Sequence, residues 1–372
     1  MRSFSFETNS HCRMTGEVQI KQFQLPDEEA LLSFLRFAYP DDPRSSDPAF
    51  WRWHYLENPL TSPDDIPLWV IWSGSQIVGQ LATIPVNLKV GLYTTRAVWV
   101  LDFVIAPEYR RRGLGKRLVL TAQESFPTML TLGINEQSKA VFHSLKWVAL
   151  GGVHRYHKLL YPGDAFREIS QFEPLRRLVN LSYAPFRPRL ARTASTASSS
   201  VREITQFNAD FEDLWGRASA QWPCAVVRRS SYLEWQFARQ PGKKFDVLGV
   251  YEYDRLVGYV VLFFRKDQRR RVLPKAAISD LCYDASGSTK IIDDLLKAAL
   301  RLALVRRAGS LVTDILDPIV EIQLRQLGFW RIRNAPQFMA STSEHQDLIY
   351  QEKNWYLTRG DSDVSIFEQP NV

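Results

Sequence analysis

Cysteine is scarce in this chain of 372 residues. Cys12, Cys224 and Cys282 stand far apart, and none belongs to a C-x-x-C pair. That excludes a disulfide framework and a thiolate zinc cluster as organising devices. Long apolar runs are also missing: nothing reaches the roughly 18 consecutive apolar residues of a membrane span. Met1 to Asn9 carries no apolar stretch of the secretory kind. A cytoplasmic protein is therefore expected. A strong charge of either sign is absent too, because 47 basic residues against 40 acidic ones leave a net +7. So small a surplus requires no nucleic acid, and anionic small molecules or a membrane surface account for it equally well.

What is present suffices for two domains. The chain is 45% hydrophobic and 23% charged, and domains run to about 100–200 residues each. It also repeats itself. Ile20-Lys-Gln-Phe23 returns as Ile204-Thr-Gln-Phe207, and Trp53-His-Tyr55-Leu-Glu-Asn-Pro59 as Trp235-Gln-Phe237-Ala-Arg-Gln-Pro241. Ile77-Val78-Gly79 matches Leu256-Val257-Gly258, Leu101-Asp102-Phe103 matches Ser279-Asp280-Leu281, and Leu145-Lys-Trp147 matches Leu327-Gly-Phe329. The offsets stay between 178 and 184 residues. Two copies of one domain are expected, at 17–160 and 201–365, joined by a linker at 161–200 that ends in a Ser/Thr/Ala tract. A fragment ending near Ser200 is accordingly expected to keep the first copy's ligand binding.

Within the first copy, the spacing predicts a helix over Pro26–Phe37, then strands at Leu68–Trp72 and Ile77–Val86 joined by a turn at Ser73-Gly74-Ser75. A strand over Arg96–Ile105 follows, then a helix from Gly113, a strand over Thr128–Leu132, a helix over Glu136–Leu145 and a last strand near Val153–Leu159. This order is that of a mixed α/β sheet.

The most informative segment is Val104-Ile-Ala-Pro107-Glu-Tyr-Arg110-Arg-Arg-Gly113-Leu-Gly115-Lys-Arg-Leu118. A strand ends, a turn follows, and a basic glycine-containing loop opens an amphipathic helix. Glycine lets backbone approach a ligand closely, and a helix N-terminus favours an anion such as a pyrophosphate. Two familiar phosphate loops do not fit. Arg110 and Arg117 stand where G-x-x-x-x-G-K-[ST] needs Gly and Ser or Thr, and Leu118 stands at the third glycine of G-x-G-x-x-G.

These residues resemble the coenzyme A loop of the GNAT acyltransferase superfamily, Arg/Gln-x-x-Gly-x-Gly/Ala after Val/Ile-x-Pro. Ile105, Pro107, Arg110, Gly113 and Gly115 fit it position by position. Asn135-Glu-Gln-Ser138-Lys-Ala-Val-Phe142-His-Ser-Leu145-Lys-Trp147 resembles that family's second motif, with Lys146 at its usual Gly. The resemblance implies two tandem GNAT-like acyl-CoA N-acyltransferase domains, with acetyl-CoA or another acyl-CoA as co-substrate and no metal. It implies that the amides of Arg111, Arg112, Gly113, Leu114, Gly115 and Lys116 grip the pyrophosphate. It also implies that the main chain of Phe103, Val104 and Ile105 pairs with the pantetheine arm. Asn135 suits a helix N-cap with or without a coenzyme contact, and Ser138 replaces a small Ala beside it. Phe142 stands where many relatives carry a proton-donating Tyr; having no proton to give, it is expected in the core or as a thioester wall.

An amine acceptor must lose a proton, which calls for a general base. Asp102 is the one carboxylate of its strand, on the face opposite Phe103 and Ile105 unless a bulge re-aims it. Asp280, its counterpart, suggests a shared structural role instead. His143, His154 and His157 are expected on the surface or in packing. The second copy reads Asp284-Ala-Ser-Gly-Ser-Thr-Lys290 at the loop and is expected to bind no coenzyme there; Arg269–Arg271 is expected as a solvated hairpin turn. Asn354–Asp363 reads as a final strand leaving the sheet with an acidic tip. The whole chain reads as an acyltransferase acting on a small-molecule or sugar amine lodged between the copies. The rivals are a catalytically silent acyl-CoA-binding regulator and an aminoacyl or cell-envelope transferase on the same fold.

Overall fold

The computed structural model describes residues 17–162, 173–183, 200–265, 273–332 and 336–362. The Arg269–Arg271 turn and most of the linker lie outside these. In the first half, β1 (Val18–Gln22) leads to helices α1 (Glu28–Ala38) and α2 (Pro48–Tyr55). Helix α1 turns Leu31, Leu32, Phe34 and Leu35 into the core. Helix α2 was not foreseen. It starts where Asp47 accepts the Phe50 N–H at 2.9 Å, with Pro48 in the first turn, a favourable opening. Strands β2 (Leu68–Ser73), β3 (Gln76–Val90), β4 (Tyr93–Val100) and β5 (Val104–Ile105) follow. Then come α3 (Leu114–Ser125), β6 (Thr128–Leu132), α4 (Glu136–Ser144), β7 (Val148–Gly152) and β8 (His154–Leu159). The last expected strand is β8, and β7 before it was not expected. Within the linker, α5 (Glu173–Tyr183) exposes Leu178 and Leu181.

The second half follows the same plan with some changes. Strand β9 (Val201–Ile204), α6 (Ala209–Ala218) and β10 (Cys224–Val226) precede α7 (Ser230–Leu233), which runs on into a π-turn over Glu234–Ala238. Next stand β11 (Phe245–Glu252), β12 (Arg255–Arg265), β13 (Lys275–Tyr283), α8 (Ser288–Val305), β14 (Ser310–Leu316) and α9 (Pro318–Gln326). Strands β15 (Trp330–Ile332), β16 (Gln337–Thr342) and β17 (Trp355–Thr358) close the chain. Strands β10 and β17 are thus additions, and one strand, β13, stands in place of β4 and β5.

The sheets do not close copy by copy. Strand β8 lies in the second sheet, pairing with β14 over His154–Leu159 and with β15 over Arg155–His157. Strand β16 lies in the first, between β6 and β7. Each half therefore lends a strand to the other, and a fragment ending near Ser200 would lack the strand between β6 and β7. The repeat marks two copies of a sequence, not two separable bodies.

At the join, Trp53 and Trp235 stack with ring centroids 5.4 Å apart. Each indole N–H donates to the other's backbone carbonyl, at 2.9 and 2.8 Å. The two residues are 182 apart, the spacing of the repeat itself, so a local two-fold axis passes between them. We expect Trp53→Ala and Trp235→Ala each to cost about 3–5 kcal/mol of stability. In chemical denaturation the double variant should cost less than the two together, because the partners share one contact.

Candidate active site

Strands β4 and β6 run parallel only where Val98–Trp99 face Met129–Leu130. After Val100 the chain leaves the ladder for three residues, then rejoins β3 as β5, with Gly79 opposite Ile105 and Gln80 opposite Val104. Beyond Trp99 the sheet therefore splays open. The break also directs the side chains. Phe103 and Ile105 pack toward α3, where a Cβ added at Gly115 would meet them at 3.1 and 3.5 Å. Asp102 accepts the Tyr55 hydroxyl of α2 at 2.5 Å.

The basic loop stands at the mouth of this opening. Pro107–Tyr109 makes a tight turn, and Arg110 Nε donates to the Ile105 carbonyl at 2.8 Å. Arg111 and Gly113 both take left-handed backbone, with φ of 61° and 75°. Gly113 is the N-cap of α3, so no side chain caps that helix, and a Cβ built there would meet nothing within 4 Å. Uncapped first-turn N–H groups stand beside exposed Arg111 and Arg112, an arrangement that suits an anion. Arg112 lies over the Tyr109 ring, 5.2 Å from its centroid. These residues fit a coenzyme pyrophosphate: the space is open, the donors are free of side-chain caps, and the charge is positive.

Helix α4 closes one side. Asn135 accepts the Ser138 N–H at 2.8 Å as N-cap, and Ser138 is buried. Phe142 is wholly buried between Trp147, at 4.4 Å, and Phe103, at 5.8 Å, as centroid distances. Lys146, at the motif's usual glycine, has φ of 61°; the backbone demands what a glycine would supply. Of the histidines, His154 Nδ1 meets Glu321 at 2.7 Å and His157 packs against Trp330. Both belong to β8, in the other sheet.

Burial pushes the Asp102 carboxyl up to about 6; the Tyr55 hydrogen bond works against that rise and Asp42 adds to it. Asp280 lives differently. Arg228, 2% exposed, donates to it from Nη2 at 3.1 Å and to Asp361 at 2.8 Å. Tyr259 and Thr358 hydroxyls reach it at 2.7 Å each. The C-terminal stretch was expected to leave the sheet; instead β17 pairs with β14 through Thr358 opposite Ile315, and Asp361 is buried. In the second half β13 and β14 part after Ile278 and Thr313, and β17 fills that gap. At the second loop Asp284 is engaged by Arg217 at 2.6 Å. Sequence reasoning missed Tyr55 and Gln80. Their repeat partners, Phe237 and Tyr259, were the signal that could have found them.

Residues 28–145 match the family model described as Acetyltransferase (GNAT) family. Among solved structures, the chain is similar to a GCN5-related N-acetyltransferase from Anabaena variabilis, with 12% identity and a TM-score of 0.59 over 87% of this chain and 72% of that one. N-myristoyltransferase from Saccharomyces cerevisiae with bound myristoyl-CoA gives 12% and 0.59 over 91% and 85%. A GCN5-related N-acetyltransferase from Kribbella flavida gives 14% and 0.57 over 89% and 72%. A sequence search of curated proteins gives no match.

A non-glycine residue in left-handed backbone costs about 1–2 kcal/mol. Lys146→Gly should therefore raise stability by about 1 kcal/mol, read as a higher denaturation midpoint; an unchanged or lower midpoint would contradict the strain.

Proposed function

We propose, for a chain whose residues 28–145 match the GNAT acetyltransferase family model, an acyl-CoA-dependent acyltransferase that holds its coenzyme in the first half only and acylates an amine. One observation carries this reading: among the described residues no strand fills the opening beside the uncapped basic helix start of the first half, whereas β17 fills its counterpart in the second. The likeness to an N-myristoyltransferase with bound myristoyl-CoA supports acyl-CoA as the donor.

Loop amides from Arg111 to Lys116 would hold the pyrophosphate, and the free edge near Phe103–Ile105 would align the pantetheine arm. Asp102 then takes the proton of the attacking nitrogen. The C–N bond forms as the C–S bond breaks, the acyl group passes directly to the amine, and coenzyme A leaves as a thiolate that water or its surroundings protonate. No covalent enzyme intermediate is needed. Phe142 favours a second reading, a silent acyl-CoA sensor, because a buried phenyl ring donates no proton. Thiol release with a panel of amines separates the two, since a sensor binds acetyl-CoA without consuming it.

Calorimetry on the full chain should give one acetyl-CoA site. Gly113→Glu should weaken it on the order of 100-fold or more, by blocking the helix start and repelling phosphate. Two equivalent sites, or a folded Gly113→Glu protein with wild-type affinity, would sink the assignment.

The base works only when ionised. Acyl transfer (kcat/KM) should thus be flat above about pH 6 and fall about tenfold per pH unit below it. Tyr55 and Asp42 are the groups acting on that carboxyl. Tyr55→Phe removes a bond to its charged form and should move the limb to higher pH, while Asp102→Asn should abolish the limb along with most of the rate.

A further inference from the structure

The duplicated fold supplies its own comparison for the acceptor site, and the inference rests on the transferase reading above. Gly79 and Gln80 face Ile105 and Val104 as Gly258 and Tyr259 face Tyr283 and Cys282. Gln80 thus stands where Tyr259 stands, and Asp102 where Asp280 stands. Position 46, which the Trp53/Trp235 spacing aligns with Arg228, is a serine. Ser46 closes the short turn Pro43–Ser46, which follows Asp42, the residue whose charge acts on Asp102.

In the second half the carboxylate is saturated, by the Arg228 guanidinium, the Tyr259 hydroxyl and Thr358 of β17. In the first half the matching residues are Gln80 and Ser46, neither of them a cation or a phenol. No Lys, Arg or His forms an ion pair with Asp102 among the described residues, and its hydroxyl donor is Tyr55. Gln80 is fully buried, yet neither its Nε2 nor its Oε1 has a partner. A carboxylate without a cation, and a buried amide without a hydrogen bond at the repeat position of Tyr259, together make a site short of a positively charged donor. Arg228 shows what fits there.

We propose that Asp102 and Gln80 seat the cationic head of the acceptor, in the place that the Arg228 guanidinium takes beside Asp280. The ligand class is an organic ammonium whose N–H groups donate to the Asp102 carboxylate and the Gln80 carbonyl oxygen. It enters on the α2 side of the sheet, opposite the α3 side where Phe103 and Ile105 pack. The nitrogen that later attacks the thioester therefore arrives already hydrogen-bonded to its base.

The test uses the full chain with coenzyme A bound, titrated calorimetrically with butylammonium chloride and, as the uncharged control, butan-1-ol. Wild type should bind one butylammonium per chain at least tenfold more tightly than butanol. Gln80→Leu should weaken butylammonium at least fivefold, with coenzyme affinity unchanged and a melting temperature no lower, since leucine brings no unpartnered polar atom. Ser46→Arg, an internal copy of Arg228, should abolish butylammonium binding while coenzyme still binds; if that variant fails to fold, Gln80→Leu decides alone. Equal binding of butylammonium and butanol by wild type, or wild-type butylammonium affinity in Gln80→Leu, overturns the proposal. Loss of the transferase reading would show elsewhere, as no thiol release with any amine.

Discussion

Two tryptophans that hydrogen-bond to each other's backbone set the geometry on which the rest depends. Each indole donates to the partner's carbonyl and stacks on the partner's ring. A buried indole N–H is stabilised by an acceptor, and here each finds the other's carbonyl because the halves meet in this register. That constraint fixes α2 of the first half against the π-turn of the second. It thereby fixes Tyr55 and Phe237, two residues further on, in the two strand openings. The reciprocal strand loan locks the same arrangement from the far side, with β8 and β16 each completing the other half's sheet.

Much of this was legible in the sequence, and for a physical reason. The order of helices and strands follows from periodicity, and the repeat shows because packing preserves aromatic and glycine positions even as surfaces diverge. Gly79 illustrates this: a Cβ there would meet Ile71 at 2.9 Å. The loop was legible because left-handed backbone and an uncapped helix start leave glycine in place. Lys146 marks the limit, since its strained φ of 61° is invisible from residue type.

The strand loan was not legible. Pairing partners depend on which edge is free in three dimensions, and β8 alternates much as any edge strand would. Nor was the fate of the C-terminal stretch. Charged residues such as Arg359 and Asp361 read as solvent-facing, whereas here Arg359 pairs with Asp314, Asp361 with Arg228, and all four are buried. Long-range charge pairing overrides local hydropathy, and a single sequence does not announce it.

The two openings differ in what closes them. Burial alone opposes charge on Arg228, and the carboxylates of Asp280 and Asp361 overcome that. Removing one partner from such a buried set leaves uncompensated charge, typically worth 3–5 kcal/mol, so the network resists drift once formed. Its last members arrive on β17, a segment of the same chain, and a tethered strand competes at an effective concentration that a free ligand rarely matches. The second opening is therefore closed by covalent continuity as much as by contacts. That half also stacks Trp235 on Trp53 of α2, two residues before Tyr55. The first opening keeps an ionisable carboxylate, a phenol and an unmatched amide, the groups a reaction can use.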